Sequence, residues 1–428
     1  MIRSGRLTRA LRHRNYRLFF GGQSLSLIGT WITRIATSWL VYRLTGSELL
    51  LGLVGFCGQI PTLFLAPFAG VLVDRWDRHR ILIVTQALSL LQSLALAWLT
   101  FSGRITVVAV LLLQMVQGLI NAFDTPARQS FVVDLVEDRA DLANGIALNS
   151  SMVNGSRIIG PSIGGAIIAA VGEGWCFLAD AISYLFVIGS LLAMRLTRTR
   201  RKPVEARVLS ELKTGYRYVI TSPPIRTALI MLAIVSALGM PYTVLMPAVV
   251  SGVLHGGPST LGVLMTASGV GALAGALYLA SRETVVGLGR VSMISTIAFG
   301  VGLVAFAFTR NVVIAVLVLP VVGAGLMMQM GATNTILQTI VEDRLRGRVM
   351  AFYTMAFFGS APIGSLLAGL AADRIGVQWT IAGCGIACVL AGIWFARQLP
   401  AWRKLVGPIY VERGILPVPA VDSGSKTL

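Results

Sequence analysis

Four polar residues, Gln114, Gln117, Asn121 and Asp124, recur at i, i+3, i+7 and i+10 in a stretch otherwise built of leucine, valine, isoleucine, methionine and small residues. On a helix that spacing puts all four on one face. Two other apolar stretches carry an arginine each: Arg34, with Gln23, Thr30 and Thr37 near it in helical register, and Arg157, with Asn154 and Pro161. A guanidinium in hydrocarbon costs roughly 2.5 kcal/mol or more even on permissive scales, so each needs water, a carboxylate or an anionic ligand. Asp180, in a further apolar stretch, is a candidate partner for one of them. Such groups bind, orient and exchange protons, and the expectation is a wet cavity lined by Arg34, Gln114, Gln117, Asn121, Asn154 and Arg157.

Covalent chemistry finds no support. The three histidines, His13, His79 and His255, all fall outside the apolar stretches. Gly160-Pro161-Ser162-Ile163-Gly164 satisfies the letters of a hydrolase elbow, but that chemistry needs a strand-to-helix turn and a histidine base. Gly269-Val270-Gly271-Ala272-Leu273-Ala274 imitates a dinucleotide fingerprint inside an apolar stretch that no phosphate could enter, so helix packing is the expected use of its glycines. A Walker A sequence is absent, which excludes ATP as a motor. Cys57, Cys176, Cys384 and Cys388 lie in or beside apolar stretches and are expected to pack as small apolar residues. Neither a metal nor a cofactor is expected.

The elements that position these residues follow from hydropathy. Only 13% of the 428 residues are charged and 55% are hydrophobic, with a mean hydropathy of +0.77. A bilayer core about 30 Å thick needs on the order of 20 apolar residues per helix. Twelve such stretches are predicted, at 18–41, 51–73, 81–101, 105–126, 143–171, 175–194, 226–250, 260–280, 289–308, 311–335, 349–372 and 377–396. Backbone polar groups in lipid must pair within their own segment, so these read as helices of an all-α membrane protein. The formal charge of +18 would suggest nucleic acid in a soluble chain, yet its distribution rejects that. The loops on one side hold only Arg43, Arg104, Arg310 and Arg374, while nearly all other Lys and Arg fall on the side of the amino terminus. Positive residues resist translocation, so both termini are expected in the cytoplasm of a multi-pass inner-membrane protein. No cleavable signal is evident before the first span.

The chain repeats itself. Val136-Glu137-Asp138-Arg139 recurs as Val341-Glu342-Asp343-Arg344, 205 residues later, and Gly155-Ser156 with Pro161 and Gly165 is answered by Gly359-Ser360 with Pro362 and Gly369. An offset near half the length predicts two pseudo-symmetric six-helix bundles, at 18–194 and 226–397, with substrate between them. Residues 1–17 precede them. Residues 195–225 form a basic linker whose Leu209, Leu212, Tyr216 and Val219 oppose Lys213 and Arg217, a pattern for a helix lying on the inner leaflet. Residues 398–428 are expected to be a disordered tail.

The run Gly70-Val71-Leu72-Val73-Asp74-Arg75-Trp76-Asp77-Arg78-His79-Arg80 meets every position of motif A of the major facilitator superfamily. Phe123-Asp124-Thr125-Pro126-Ala127-Arg128-Gln129, Leu142-Ala143-Asn144-Gly145 and Arg346-Gly347-Arg348-Val349 resemble the branch that holds enterobactin and macrolide exporters. The resemblance implies the twelve-helix fold and a cytoplasmic latch formed by Gly70, Asp74, Arg75 and Arg78, with Asp124 as acidic partner. Gly160-Pro161-Ser162-Ile163-Gly164-Gly165 resembles the antiporter motif, with Gly160, Pro161, Gly164 and Gly165 in a mechanical role. The superfamily's span-four arginine, associated with proton coupling, is replaced here by Gln114. Asp124 and Asp180 remain as proton-coupling candidates.

The second half is chemically quieter. Gln329 stands where the repeat would place Asp124, Ala361 answers to Arg157, and the expected lining is neutral: Gln329, Asn334 and Tyr353, with Tyr242 and Met246. The resemblance therefore implies a monomeric, proton- or ion-coupled exporter of a bulky organic molecule, working in the lipid bilayer without nucleic acid. A ligand sensor built on the same fold and a solute importer are the alternatives.

Overall fold

The computed structural model describes residues 9–136, 138–195 and 208–417. Among these residues it is entirely helical, with no strand. The first half runs α1 (Arg14–Thr45), α2 (Glu48–Arg75), α3 (Arg78–Phe101), α4 (Val107–Leu135), α5 (Arg139–Val171) and α6 (Glu173–Leu192). After the linker helix α7 (Val208–Thr221), the second half runs α8 (Pro223–Ile234), α9 (Tyr242–Gly252), α10 (Pro258–Ala280), α11 (Leu288–Phe308), α12 (Val312–Ile340), α13 (Asp343–Thr354), α14 (Ser360–Ile375) and α15 (Val377–Glu412).

Several starts have visible local causes. Ser47 accepts from the Leu50 amide, Asp77 from the His79 amide and Thr106 from the Ala109 amide, each satisfying an amide that the first turn leaves unpaired. Asp77 thus restarts the chain inside the charged hairpin between α2 and α3. Gly46 ends α1 in the left-handed region, at φ 62°.

Ten stretches of the described residues are long and apolar enough to cross a membrane. The two predicted spans that fall short on this measure are α1 and α5, the helices that carry Arg34 and Arg157. Their polarity is sheltered: α1 lies against α5 and α6, and α5 against α1 and α10. Two predicted spans, at 226–250 and 349–372, are each broken by a wider helical turn, at Val235–Gly239 and Met355–Gly359. Those turns meet, because Ser236 donates to the Phe357 carbonyl and Gly364 lies so close to the Ala237 carbonyl that no side chain could fit.

Within each half the helices pack mainly on one another, α1 on α6 and α2 on α4 in the first, α10 on α12 and α11 on α15 in the second. Two seams join the halves, α5 with α10 and α2 with α14. Both are built on glycines. A Cβ at Gly165 would stand 2.6 Å from the Pro258 carbonyl and 2.9 Å from the Gly262 Cα, and one at Gly52 would stand 2.5 Å from the Ser365 carbonyl. Small residues let helix backbones approach this closely. These crossings lie at the end of the bundle away from the amino terminus.

The tail corrects an expectation. Rather than disordering after residue 397, the chain continues as α15 to Glu412, through Pro400 and Pro408. Trp402, Val406 and Tyr410 repeat every four residues and are buried against the second half, and the Trp402 indole donates to the Pro224 carbonyl at 3.2 Å. That packing outweighs the two lost backbone hydrogen bonds. The linker forms a helix over Val208–Thr221, with Val219 buried and Lys213 and Arg217 exposed; the side chains of Leu209 and Leu212 lie outside the described residues.

Candidate functional site

Trp31 organises the centre of the first half. The Arg34 guanidinium carbon lies 4.9 Å from its ring centroid and that of Arg157 lies 5.6 Å from it, so one indole from α1 holds a cation from α1 and another from α5. Gly160 makes room for this: a Cβ there would overlap the Cβ of Trp31. Arg34 is solvent-exposed although protein surrounds it, and it is near enough to Arg157 to feel that charge. Neither arginine has a carboxylate partner among the described residues. This is the composition of a wet, cationic recess.

The second half closes one side of it. Pro161 has no amide to give to the Arg157 carbonyl, and Gly269 of α10 sits over that freed oxygen, where a Cβ would stand 2.9 Å away. One turn along, Thr266 donates to the Ile158 carbonyl at 3.0 Å and shares a 2.8 Å hydrogen bond with Ser162. Tyr242, which shares a 2.7 Å hydrogen bond with Ser268, lies within electrostatic reach of Arg157. Gly164 faces Ile32 of α1, whereas Gly165 faces α10, so the motif-like glycines serve two different helices.

Asp180 does not neutralise either arginine, contrary to the sequence-based expectation. It is 1% exposed between α1, α3 and α6, where it accepts from Ser93 at 3.1 Å and from Ser183 at 3.5 Å. The α1 face that meets Asp180 is Gly29, one side of the helix, and Arg34 projects from another. A carboxylate held by hydroxyls keeps its hydrogen bonds without bringing a guanidinium into the packed layer.

The polar stripe of α4 is divided among neighbours rather than turned as a whole into the cavity. Gln114 donates to Thr37 of α1 at 3.3 Å, and Gln117 donates at 3.2 Å both to Ser89 of α3 and to Asn121. Asp124, 7% exposed, accepts from Thr85 and Gln86 at 2.9 and 2.8 Å and pairs with Arg128 at 3.6 Å. It is therefore not the partner of the motif A arginines in this arrangement. Arg78 instead pairs with Asp134 at 3.0 Å, nearly three turns further along α4, and Arg75 is exposed at the end of α2. A ten-residue advance carries the carboxylate about 15 Å toward the helix end, where the hairpin lies. The surroundings of Gly70 and the side chain of Asp74 lie outside the described residues.

In the second half the expected lining is largely packed away. Gln329 is 0% exposed and donates to Thr333 at 3.3 Å, so it faces no cavity; α10 and α11 cover the helix on which it sits. Tyr353 is 9% exposed and donates to the Met330 carbonyl at 3.3 Å. Asn334 and Asn154 are half-buried; Asn334 accepts from Gln338, and Asn154 donates to the Ser150 carbonyl of its own helix. Sequence reasoning overlooked Trp31, Asp134 and Thr266. For Trp31 a signal existed, since it stands three residues before Arg34 and hence on the same helix face.

Residues 8–408 match the family described as transmembrane secretion effectors. The chain belongs to this family. It falls in the siderophore and macrolide efflux branch of the major facilitator superfamily, whose members are membrane transporters and not enzymes. It is 29% identical to the staphyloferrin A transporter of Staphylococcus aureus, over 89% of this chain and 96% of that one. It is 28% identical to the multidrug efflux pump Tap of Mycolicibacterium fortuitum, over 88% and 93%. A bacterial homologue of the human lysosomal transporter Spinster, solved inward-facing and occupied, superposes with a TM-score of 0.70 at 15% identity, covering 92% of this chain and 98% of that one. The structural likeness establishes the fold. The family, together with the ten apolar helices, makes this a multi-pass membrane transporter.

Proposed function

We propose that the chain is a monomeric, proton-coupled exporter of a bulky organic molecule, working by alternating access in the inner membrane with both termini in the cytoplasm. The rocking bodies in this reading are residues 18–194 and 226–397, joined by 195–225. The observation that carries it is the placement of the seam. The glycine crossings of α5 with α10 and of α2 with α14 sit at one end of the bundle, while Arg34 is reached by solvent in its interior. A cleft closed at one end and wet within is one of the two states that alternating access requires.

The motif A hairpin is the other gate in this scheme. Gly70, Asp74, Arg75 and Arg78 would draw the open end shut when the halves rock, with Asp134 anchoring Arg78 to α4. For the counter-ion, Asp180 is better placed than Asp124. Asp124 already balances Arg128, so loading it with a proton would leave a half-buried cation unpaired. Asp180 has only hydroxyls against it among the described partners.

Everted membrane vesicles energised with a proton gradient test the direction. The expected result is concentration of a fluorescent organic dye inside them, collapsed by a protonophore and independent of ATP. Accumulation only in right-side-out vesicles would make the protein an importer, and dye binding without movement in either would make it a sensor.

A further inference from the structure

We infer that the recess formed by Trp31, Arg34 and Arg157 is an oxyanion-binding subsite, and that the transported molecule is an amphipathic anion bearing a carboxylate or phosphate. This deepens the export reading and rests on it. Two guanidiniums gathered on one indole, without a carboxylate among their described neighbours, repel each other in a region where charge is poorly screened. Such an arrangement persists where an anion completes it, and a fork of N–H donors matches the two oxygens of a carboxylate or phosphate.

The surroundings exclude a cationic cargo. The membrane carboxylates of the first half are committed elsewhere, Asp180 to Ser93 and Ser183 and Asp124 to Thr85, Gln86 and Arg128. A cation entering the recess would meet two positive charges and no negative one. The indole supplies the complementary apolar surface, on which the ring or chain of an amphipathic anion can lie while its charged end reaches the guanidiniums.

The site also couples to the seam. Arg157 stands where Gly269 of α10 covers its backbone, with Tyr242 of α9 within electrostatic reach. Rocking of the halves would change what faces this arginine, because its neighbours on α9 and α10 belong to the other half. An anion held by both arginines would thus sense the state of the seam.

Matched dyes provide the test. Carboxyfluorescein is the anionic probe and rhodamine 6G the cationic one, on the same ring scaffold, with binding read by fluorescence anisotropy to the purified protein in phosphatidylcholine nanodiscs. The expected result is saturable binding of carboxyfluorescein, at least tenfold weaker in Arg34→Gln and in Arg157→Gln and intermediate in Arg34→Lys, which keeps the charge and loses the fork, all variants eluting and melting like the parent. Competition by phosphatidylglycerol in the disc would identify a lipid headgroup as an occupant of the same oxyanion site; competition by free phosphate or citrate alone would identify a soluble source. Equal binding of rhodamine 6G, carboxyfluorescein binding unchanged in the double glutamine variant, or no carboxyfluorescein binding overturns the proposal. Energised everted vesicles separate the two readings. Pumping of rhodamine 6G without arginine-dependent anion binding would retain export and remove the anion site, whereas arginine-dependent binding without pumping of either dye would do the reverse.

Discussion

The two halves descend from one pattern yet have parted in chemistry. The first places two arginines, an indole and two buried carboxylates in its interior; at the repeat positions the second has Ala361 for Arg157 and Gln329 for Asp124, both packed away from solvent. The second half instead has long apolar contacts around Leu232, Phe299, Leu326 and Phe395, and two wide helical turns tied together at Ser236. A duplicated unit can thus keep charged and polar groups in one copy while the other copy becomes an apolar surface packed against it. Glycines on both sides of the seam are what the halves still share.

Five substitutions test this contrast. The largest effect is expected for Gly165→Val, because the atoms its side chain would meet are the Pro258 carbonyl and the Gly262 backbone, which cannot yield as a flexible side chain can. Transport in everted vesicles should fall below a tenth of the parent, and cysteines placed across the seam should lose their cross-linking; normal transport would show that the seam need not close this tightly. Next comes Asp180→Asn against Asp124→Asn. Substrate-driven proton flux in proteoliposomes should vanish in the first and persist in the second, and equal flux in both would remove Asp180 as the carrier.

Smaller effects belong to packing. Gly160→Ala should displace Trp31 and weaken anion binding several-fold while leaving the seam intact, since its Cβ points at α1 and not at α10. Intrinsic quenching by iodide, normalised to acrylamide, reports the change. The smallest effect is expected for Gln329→Leu in the second half. Its amide oxygen is buried without a partner among the described residues and its one donor bond is long, so removal should alter stability by less than about 1 kcal/mol and leave transport unchanged. A large transport defect would place Gln329 in the pathway after all.

Much of this protein is legible in one dimension. Several helices overrun their hydropathy boundaries, as α4 shows by continuing to Leu135, because amphipathic ends leave the apolar window before they leave the helix. The hairpin and its cap at Asp77 are local, and so is the linker helix. The partners of the site are less so. Asp134 is separated from Arg78 by 56 residues, and the neighbours of Asp180 and Arg157 come from α1, α3, α9 and α10. Periodicity assigns a residue to a face; it does not say which helix the face will meet.

Composition, period and repeat therefore settled by themselves that this is a duplicated bundle of membrane helices with costly polar groups inside it, since each of those properties is set by the residue and its neighbours within a few turns. Folding decided the rest: that Trp31 gathers both arginines, that Asp180 rests among hydroxyls, that Asp134 takes Arg78, and that Gln329 is sealed in. Each depends on the rotation and depth at which two distant helices cross, and those are fixed by side-chain packing between segments that the chain order does not bring together.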